Sequence, residues 1–293
     1  MTSFTGIWAP LVTPFRHNEV DFDALQSLAR RCVEAGVSGL VVCGSTGEPA
    51  ALSEGEQLAV LDAVLDAVLD AVPECPVVMG MAGNNLPAIL DRMQRIQQRP
   101  VAGLLVPSPY YIRPSQAGLV DFFRTVADAS SVPVILYNIP YRTGINIELE
   151  TFRTVVQHKR IVALKDCGGD LPLTMSLIGD GKLQVLSGED HLLLPTLCLG
   201  GTGGIVASSH IRPDLFVRIA QLVQRDALSE ARELFHRLLP LMRLLFREPN
   251  PAPLKAALSM MGCMRDELRA PMQGASEETK ALLARELKRL ECL

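Results

Sequence analysis

Short runs of apolar residues recur along this chain at 7–12, 40–43, 77–79, 103–106, 134–137, 161–164, 183–186 and 204–206. Each run is continuous, not alternating, which is the pattern of a strand covered on both faces. Longer stretches with helical spacing of apolar positions lie between them, at 23–35, 54–71, 86–97, 116–129 and 148–157. Eight runs, each followed by a helix, close most naturally into a (β/α)8 TIM barrel. The competing arrangement is a doubly wound open sheet, which would carry a glycine-rich phosphate turn after its first strand. Here that strand leads into Thr13-Pro14-Phe15, with no such glycines.

Beyond residue 225 the pattern turns all-helical, with predicted helices over 226–246, 253–261 and 276–290. The Pro-rich Glu248-Pro249-Asn250-Pro251-Ala252-Pro253 separates the first two. The expected organisation is a (β/α)8 barrel catalytic domain over 1–225 and a C-terminal helical extension over 226–293. The extension lies near the lower size limit for independent folding, so it is expected to pack on the barrel.

Composition narrows the functional classes. A 48% hydrophobic content is too high for a disordered chain. Lys and Arg (28) are fewer than Asp and Glu (32) and form no basic run, so no nucleic-acid partner is expected. No apolar segment reaches the ~18 residues of a membrane span. The nearest candidate, 61–72, carries Asp62, Asp66 and Asp70 at helical spacing and reads as an amphipathic helix. The N-terminal stretch has no basic region before its apolar residues, against a secretory signal. Seven dispersed cysteines with no C-x-x-C fit reduced core thiols in a cytoplasmic protein. The five histidines never pair at i, i+4, so no metal is expected.

Catalytic groups of a barrel sit at the C-terminal ends of its strands. Lys165 stands there, directly after an apolar run. The other five lysines precede strands (Lys159, Lys182) or lie in the helical tail (Lys255, Lys280, Lys288). Burial in a barrel mouth would draw a lysine toward its neutral, nucleophilic amine, as Schiff-base chemistry requires. Tyr137 ends another run and could relay protons beside it. Ser45 and Thr46, between Gly44 and Gly47, offer hydroxyls and backbone N–H groups suited to a carboxylate. Arg142, in the loop after Tyr137, is suited to gripping a second one. Gly200-Gly201-Thr202-Gly203-Gly204 lacks nucleotide-loop order and reads as close barrel packing.

Gly44-Ser45-Thr46-Gly47-Glu48, the 137–144 stretch Tyr-Asn-Ile-Pro-Tyr-Arg-Thr-Gly, and the strand-end Lys165 together resemble the dihydrodipicolinate synthase/N-acetylneuraminate lyase family. Pro109-Tyr110-Tyr111, Ser187-Gly188-Glu189-Asp190 and the 246–251 stretch support the likeness, which runs from about residue 6 to the C-terminus. It implies a homotetrameric barrel that needs no cofactor and forms an imine with pyruvate. By that resemblance Lys165 is the Schiff-base lysine and Tyr137 the general acid/base, with Ser45 and Tyr111 completing a hydroxyl relay. Tyr111 would be lent by a neighbouring subunit. Thr46, Ile205 and Gly188 would bind the keto acid, and Arg142 the carboxylate of aspartate semialdehyde.

The implied reaction is condensation of pyruvate with L-aspartate 4-semialdehyde in lysine biosynthesis. A sugar-acid or N-acetylneuraminate aldolase is the alternative, and a non-catalytic ligand-binding barrel a third. Ser45 is the lyase-like residue at its position, and Asp166-Cys167-Gly168-Gly169 departs from the synthase pattern. The positions that would bind feedback lysine read Pro49, Glu54, Gln57, Asn84 and Ala88. Without an acidic residue at 88, weak or absent lysine inhibition is expected.

Overall fold

The computed structural model describes residues 3–293. Its strands are β1 (Gly6–Pro10), β2 (Gly39–Val42), β3 (Val77–Gly80), β4 (Gly103–Pro107), β5 (Val134–Asn138), β6 (Ile161–Asp166), β7 (Gln184–Ser187) and β8 (Gly203–Ile205). Each pairs in parallel with its chain neighbours, and β8 closes on β1 to complete the barrel. Side-chain parity explains the continuous apolar runs. Ile135 and Tyr137 of β5, and Ala163 of β6, join the barrel's inner cluster, whereas Val134, Leu136 and Leu164 belong to the larger cluster under the helices. Lys165 follows Ala163 by two, so it shares the inner face.

Five of the eight barrel helices start at a side-chain cap. The eight are α1 (Phe22–Glu34), α2 (Glu54–Ala71), α3 (Leu86–Ile96), α4 (Gln116–Ala129), α5 (Leu149–Val155), α6 (Leu171–Asp180), α7 (Leu193–Cys198) and α8 (Pro213–Gln224). Asp21, Asn85, Ser115 and Asp170 each accept an N–H from their helix's first turn, and Ser53 forms a capping box with Glu56. The bounds expected for α2 and α4 coincide with those observed. On α2, Asp62 pairs with Arg99 and Asp70 with Arg30, so the regular aspartates form its polar side.

β1 ends at Pro10, two residues earlier than its apolar run. Past it the Leu11 N–H still donates to the Val41 carbonyl (2.9 Å), whereas the Val12 N–H donates to His210 Nε2 (3.3 Å) in place of a strand carbonyl. His210 Nδ1–H in turn donates to the Ala207 carbonyl (2.8 Å), which fixes the neutral tautomer. Burial holds its pKa down to about 4.

Three helices follow the barrel: α9 (Leu228–Leu245), α10 (Ala252–Met260) and α11 (Glu277–Arg289). α9 packs on α8, and α11 on α9 and α10. Leu238, Leu241, Leu254 and Leu283 are fully buried in the same apolar cluster as the barrel helices. Among the described residues, no helix is long and apolar enough to cross a membrane. Cys32, Cys43 and Cys167 are buried, whereas Cys198 is exposed and the other three are half-buried; all seven are unpaired. The glycine run behaves as expected: a Cβ on Gly203 would overlap the Gly6 backbone, where β8 approaches β1.

Candidate active site

The C-terminal ends of the strands enclose a cavity of about 520 Å³, lined by Ser45, Thr46, Tyr137, Lys165, Gly188 and Ile205 among others. Six of the eight expected site residues therefore share this wall, and Arg142 is a seventh. A second cavity of about 400 Å³ adjoins it and shares Ser45, Tyr137, Arg142 and Asn250.

Parallel register places Tyr137 of β5 directly opposite Lys165 of β6. The Lys165 Nζ lies 4.6 Å from the centre of the Tyr137 ring. Only 4% of Lys165 is exposed. Burial drives its ammonium below the ordinary lysine range, opposed by the nearby Cys167, Asp190 and Glu189. Among the described residues no carboxylate forms an ion pair with it, so the acidic neighbours act on it only from a distance. The site thus supplies a neutral amine at lower pH than a surface lysine could.

Tyr137 is equally buried, and burial raises its phenol well above the usual range, with Cys167 adding to the rise and the Ser45 hydroxyl opposing it. It therefore stays protonated at neutral pH. The Tyr137 and Ser45 hydroxyls lie 3.1 Å apart, and either can donate. Ser45 sits in a 3-10 turn, Ser45–Gly47, entered from an extended Gly44. The Gly47 N–H closes the turn on Gly44 O, while the Ser45 and Thr46 N–H groups have no acceptor among the described residues. Two adjacent free N–H groups in one turn can take a carboxylate. A keto acid anchored there would present its carbonyl to the amine.

At the rim, Arg142 lies in a single helical turn, Pro140–Thr143, and has no carboxylate partner among the described residues. Its guanidinium is available to an acidic ligand. Tyr111 is the outlier. It is 89% exposed in a backbone conformation with φ +71° and makes no hydrogen bond to Ser45 or Tyr137 within the chain.

Several groups at the site escaped sequence reasoning. Asp190, named above only within the Ser187-Gly188-Glu189-Asp190 stretch, is buried and accepts from the Ala207 and Ser208 N–H groups (3.1 and 2.6 Å). Burial pushes its carboxyl up to about 6 despite those bonds. Cys167 is buried 4.0 Å from the Tyr137 hydroxyl, and burial raises its thiol. Asn250 lines both cavities and donates to the Thr46 hydroxyl at 3.2 Å. The clearest available signal belonged to Lys255, a lone charge in the apolar stretch Ala-Pro-Leu-Lys-Ala-Ala-Leu; it is completely buried.

Gly188 has a steric reason for its identity. A Cβ there would overlap Cys167 Sγ and stand 2.9 and 3.0 Å from Lys165 Cγ and Cε. Gly188→Ala must push the lysine stem aside in a packed site. The variant is expected to trap keto acid on Lys165 at least about tenfold more slowly, since small misplacements of a reacting group cost that much or more. Mass spectrometry after borohydride reduction checks it; a wild-type rate would show that the lysine has room to spare.

The chain matches the model of the dihydrodipicolinate synthetase family over residues 3–290. The 4-hydroxy-tetrahydrodipicolinate synthase of Methanocaldococcus jannaschii is 38% identical to it, over 98% of this chain and 99% of that one. The enzyme of the same name from Methanococcoides burtonii is 36% identical, covering 99% of both. Among solved structures, the dihydrodipicolinate synthase of Thermotoga maritima superposes with a TM-score of 0.95 at 33% identity and 99% coverage of both chains. The chloride-inhibited synthase of Acinetobacter baumannii, solved with pyruvate, gives 0.95 at 28% identity, covering 99% of this chain and all of its own. Sequence and architecture agree over the whole length: the chain belongs to the dihydrodipicolinate synthetase family.

Proposed function

We propose that this protein condenses pyruvate with L-aspartate 4-semialdehyde to give 4-hydroxy-tetrahydrodipicolinate, a step in lysine biosynthesis by the diaminopimelate route. The observation that carries the reading is a buried, unpaired Lys165 amine facing the protonated Tyr137–Ser45 hydroxyl pair across a cavity with free N–H groups. Lys165 adds to the pyruvate ketone. Tyr137 protonates the departing carbinolamine hydroxyl, which leaves as water to give an iminium. The Tyr137 phenolate, through the Ser45 hydroxyl, takes up a methyl proton, which converts that iminium to an enamine; the enamine attacks the aldehyde, whose oxygen is protonated in turn by Tyr137. The substrate's own amine then displaces Lys165 in ring closure. The iminium is itself the electron sink, so the chemistry calls for neither metal nor organic cofactor.

Thr46 and Ile205 are assigned to the pyruvate, Gly188 to the room around it, and Arg142 to the aldehyde's carboxylate. The sugar-acid aldolase alternative shares the first half of this mechanism. Arg142 favours the synthase, because a free guanidinium at the rim suits a small carboxylate-bearing aldehyde better than a polyol. Turnover of L-aspartate semialdehyde should exceed that of N-acetylmannosamine or sugar aldehydes under the same conditions. Pyruvate trapping with no turnover of the semialdehyde would transfer the protein to the aldolases; no trapping at all would leave a binding barrel.

Tyr111 is assigned to the site of a second copy, within a homotetramer. Its exposure and that of its neighbours Tyr110 and Ile112 support this, as do the exposed Leu171 and Met175 on α6, which offer a second apolar face. A reducing, cytoplasmic setting fits the seven unpaired thiols. Sedimentation equilibrium reads the assembly, and a monomer at working concentration would remove Tyr111 from the relay.

L-Lysine is expected to inhibit weakly or not at all at millimolar concentration. Of the positions in question, Glu54 already pairs with Arg95 (2.7 Å), and Asn84 accepts from the Tyr110 N–H (3.0 Å). Gln57 is buried, donating to the Pro49 and Leu52 carbonyls, and exposed Ala88 offers no charge. A lysine titration of the initial rate tests this, and strong inhibition would refute it.

A further inference from the structure

The turn that offers the two free N–H groups is held from outside the barrel strands. Glu48, the residue that follows it, has φ +54°, a left-handed conformation that a residue bearing a Cβ seldom adopts unless held. Its backbone N–H donates back to the Ser45 carbonyl at 3.4 Å, so the orientation of Glu48 and that of the turn are linked. The Glu48 carboxylate is buried and paired with Lys255 of α10, whose side chain has no exposure at all.

Lys255 Nζ also donates to the Glu267 carbonyl (2.9 Å) and lies 4.2 Å from the centre of the Phe15 ring. Its ammonium is thus fixed from three sides and forms a rigid anchor for Glu48. Asn250, just ahead of the same helix, donates to the Thr46 hydroxyl. On the barrel side, Thr13 Oγ1 donates to the Gly47 carbonyl at 2.7 Å. One short segment of the C-terminal region therefore reaches the turn twice, at Thr46 and at Glu48.

A buried ion pair is seldom retained for stability alone, because the charges lose hydration that their attraction barely repays; fixing a local geometry is the better-attested use. We propose that Lys255 is a positioning residue for the keto acid. Through Glu48, and together with Asn250, it holds the Ser45–Gly47 turn so that its N–H groups stay free to receive the substrate carboxylate. The C-terminal helices are then part of the catalytic unit and not a covering layer.

The inference rests on the imine reading above, so the experiment measures both. Borohydride trapping is followed as a function of pyruvate concentration, with the thermal midpoint recorded for each protein. Lys255→Met is expected to raise the pyruvate concentration at half-saturation about tenfold or more, the equivalent of one misdirected charge-assisted contact. The plateau rate should stay within about threefold, because Lys165 and Tyr137 are untouched. Should the unpaired Glu48 prevent folding, Lys255→Met/Glu48→Gln removes both charges and carries the same expectation. Asn250→Ala, at a half-buried position, should shift half-saturation in the same direction.

A folded Lys255 variant with lowered thermal midpoint and wild-type half-saturation would overturn the proposal, leaving the pair a structural staple. Wild-type half-saturation in Asn250→Ala would do the same. Absence of any adduct on the wild-type protein would instead remove the imine reading and this inference with it.

Discussion

Replacing Lys165 by alanine is expected to abolish covalent capture of pyruvate and to lower kcat by at least about ten-thousandfold, the scale of loss when a covalent catalyst is stripped of its nucleophile. Among the described residues, Lys165 is the lysine that lines the cavity. Lys255 is committed to Glu48, Glu267 and the Phe15 ring, and Lys280 to Asp266 at 3.0 Å. The variant should fold, because it removes an amine whose burial is unfavourable to its charged form. The wild-type protein supplies the matching pH test. The nucleophile is the neutral amine, and burial lowers its pKa, so the trapping rate should rise with pH and level off below the ordinary lysine value of ~10.4.

Stability carries the same signature with a definite sign. Between the folded pKa of Lys165 and ~10.4 the unfolded chain binds more protons, so stability contributed by this residue grows as pH rises through that window. Lys165→Ala should lack that increment in a comparison of urea midpoints across pH. Undiminished trapping in the alanine variant would mean that the wrong lysine has been chosen. A wild-type plateau only above ~10.4 would mean a solvated amine.

What the sequence disclosed about this site, and what it concealed, follows from the range of the interactions. Lys165 and Tyr137 were legible because each breaks a run of apolar residues at a strand end, and strand order then puts β5 beside β6. That they face each other in register, Tyr137 against Lys165, needed the closed ladder. The strand bounds moved by a residue or two for local reasons, such as Val12 spending its N–H on a histidine 198 positions away. Lys255 looked like an ordinary tail lysine because its partners Glu48 and Phe15 lie more than two hundred residues back along the chain. Asp190 was visible as part of the 187–190 stretch, but its burial against the Ala207–Ser208 backbone was not. Periodicity reports which face a residue takes, and only tertiary packing reports how deep it goes.

Tyr137→Phe separates proton transfer from the placement of the amine. Phenylalanine keeps the ring that lies 4.6 Å from Lys165 Nζ, so the lysine's surroundings are preserved while the hydroxyl shared with Ser45 is lost. That hydroxyl is assigned two duties. It gives its proton to the carbinolamine oxygen as water leaves, and it takes part in moving the methyl proton that turns iminium into enamine. Loss of one positioned acid/base group costs ~10²–10⁴ in rate, and kcat should fall within that range. The adduct should still accumulate, slowly, because Lys165 remains nucleophilic. Stability should change by no more than about 1 kcal/mol, the net worth of one buried hydrogen bond, since half-buried Ser45 can turn to another partner. Ser45→Ala, which leaves the phenol in place, should fall between this variant and wild type. If Tyr137→Phe formed its imine at the wild-type rate, the protons would have to travel by another route, and buried Cys167, 4.0 Å from that hydroxyl, would be the group to replace next.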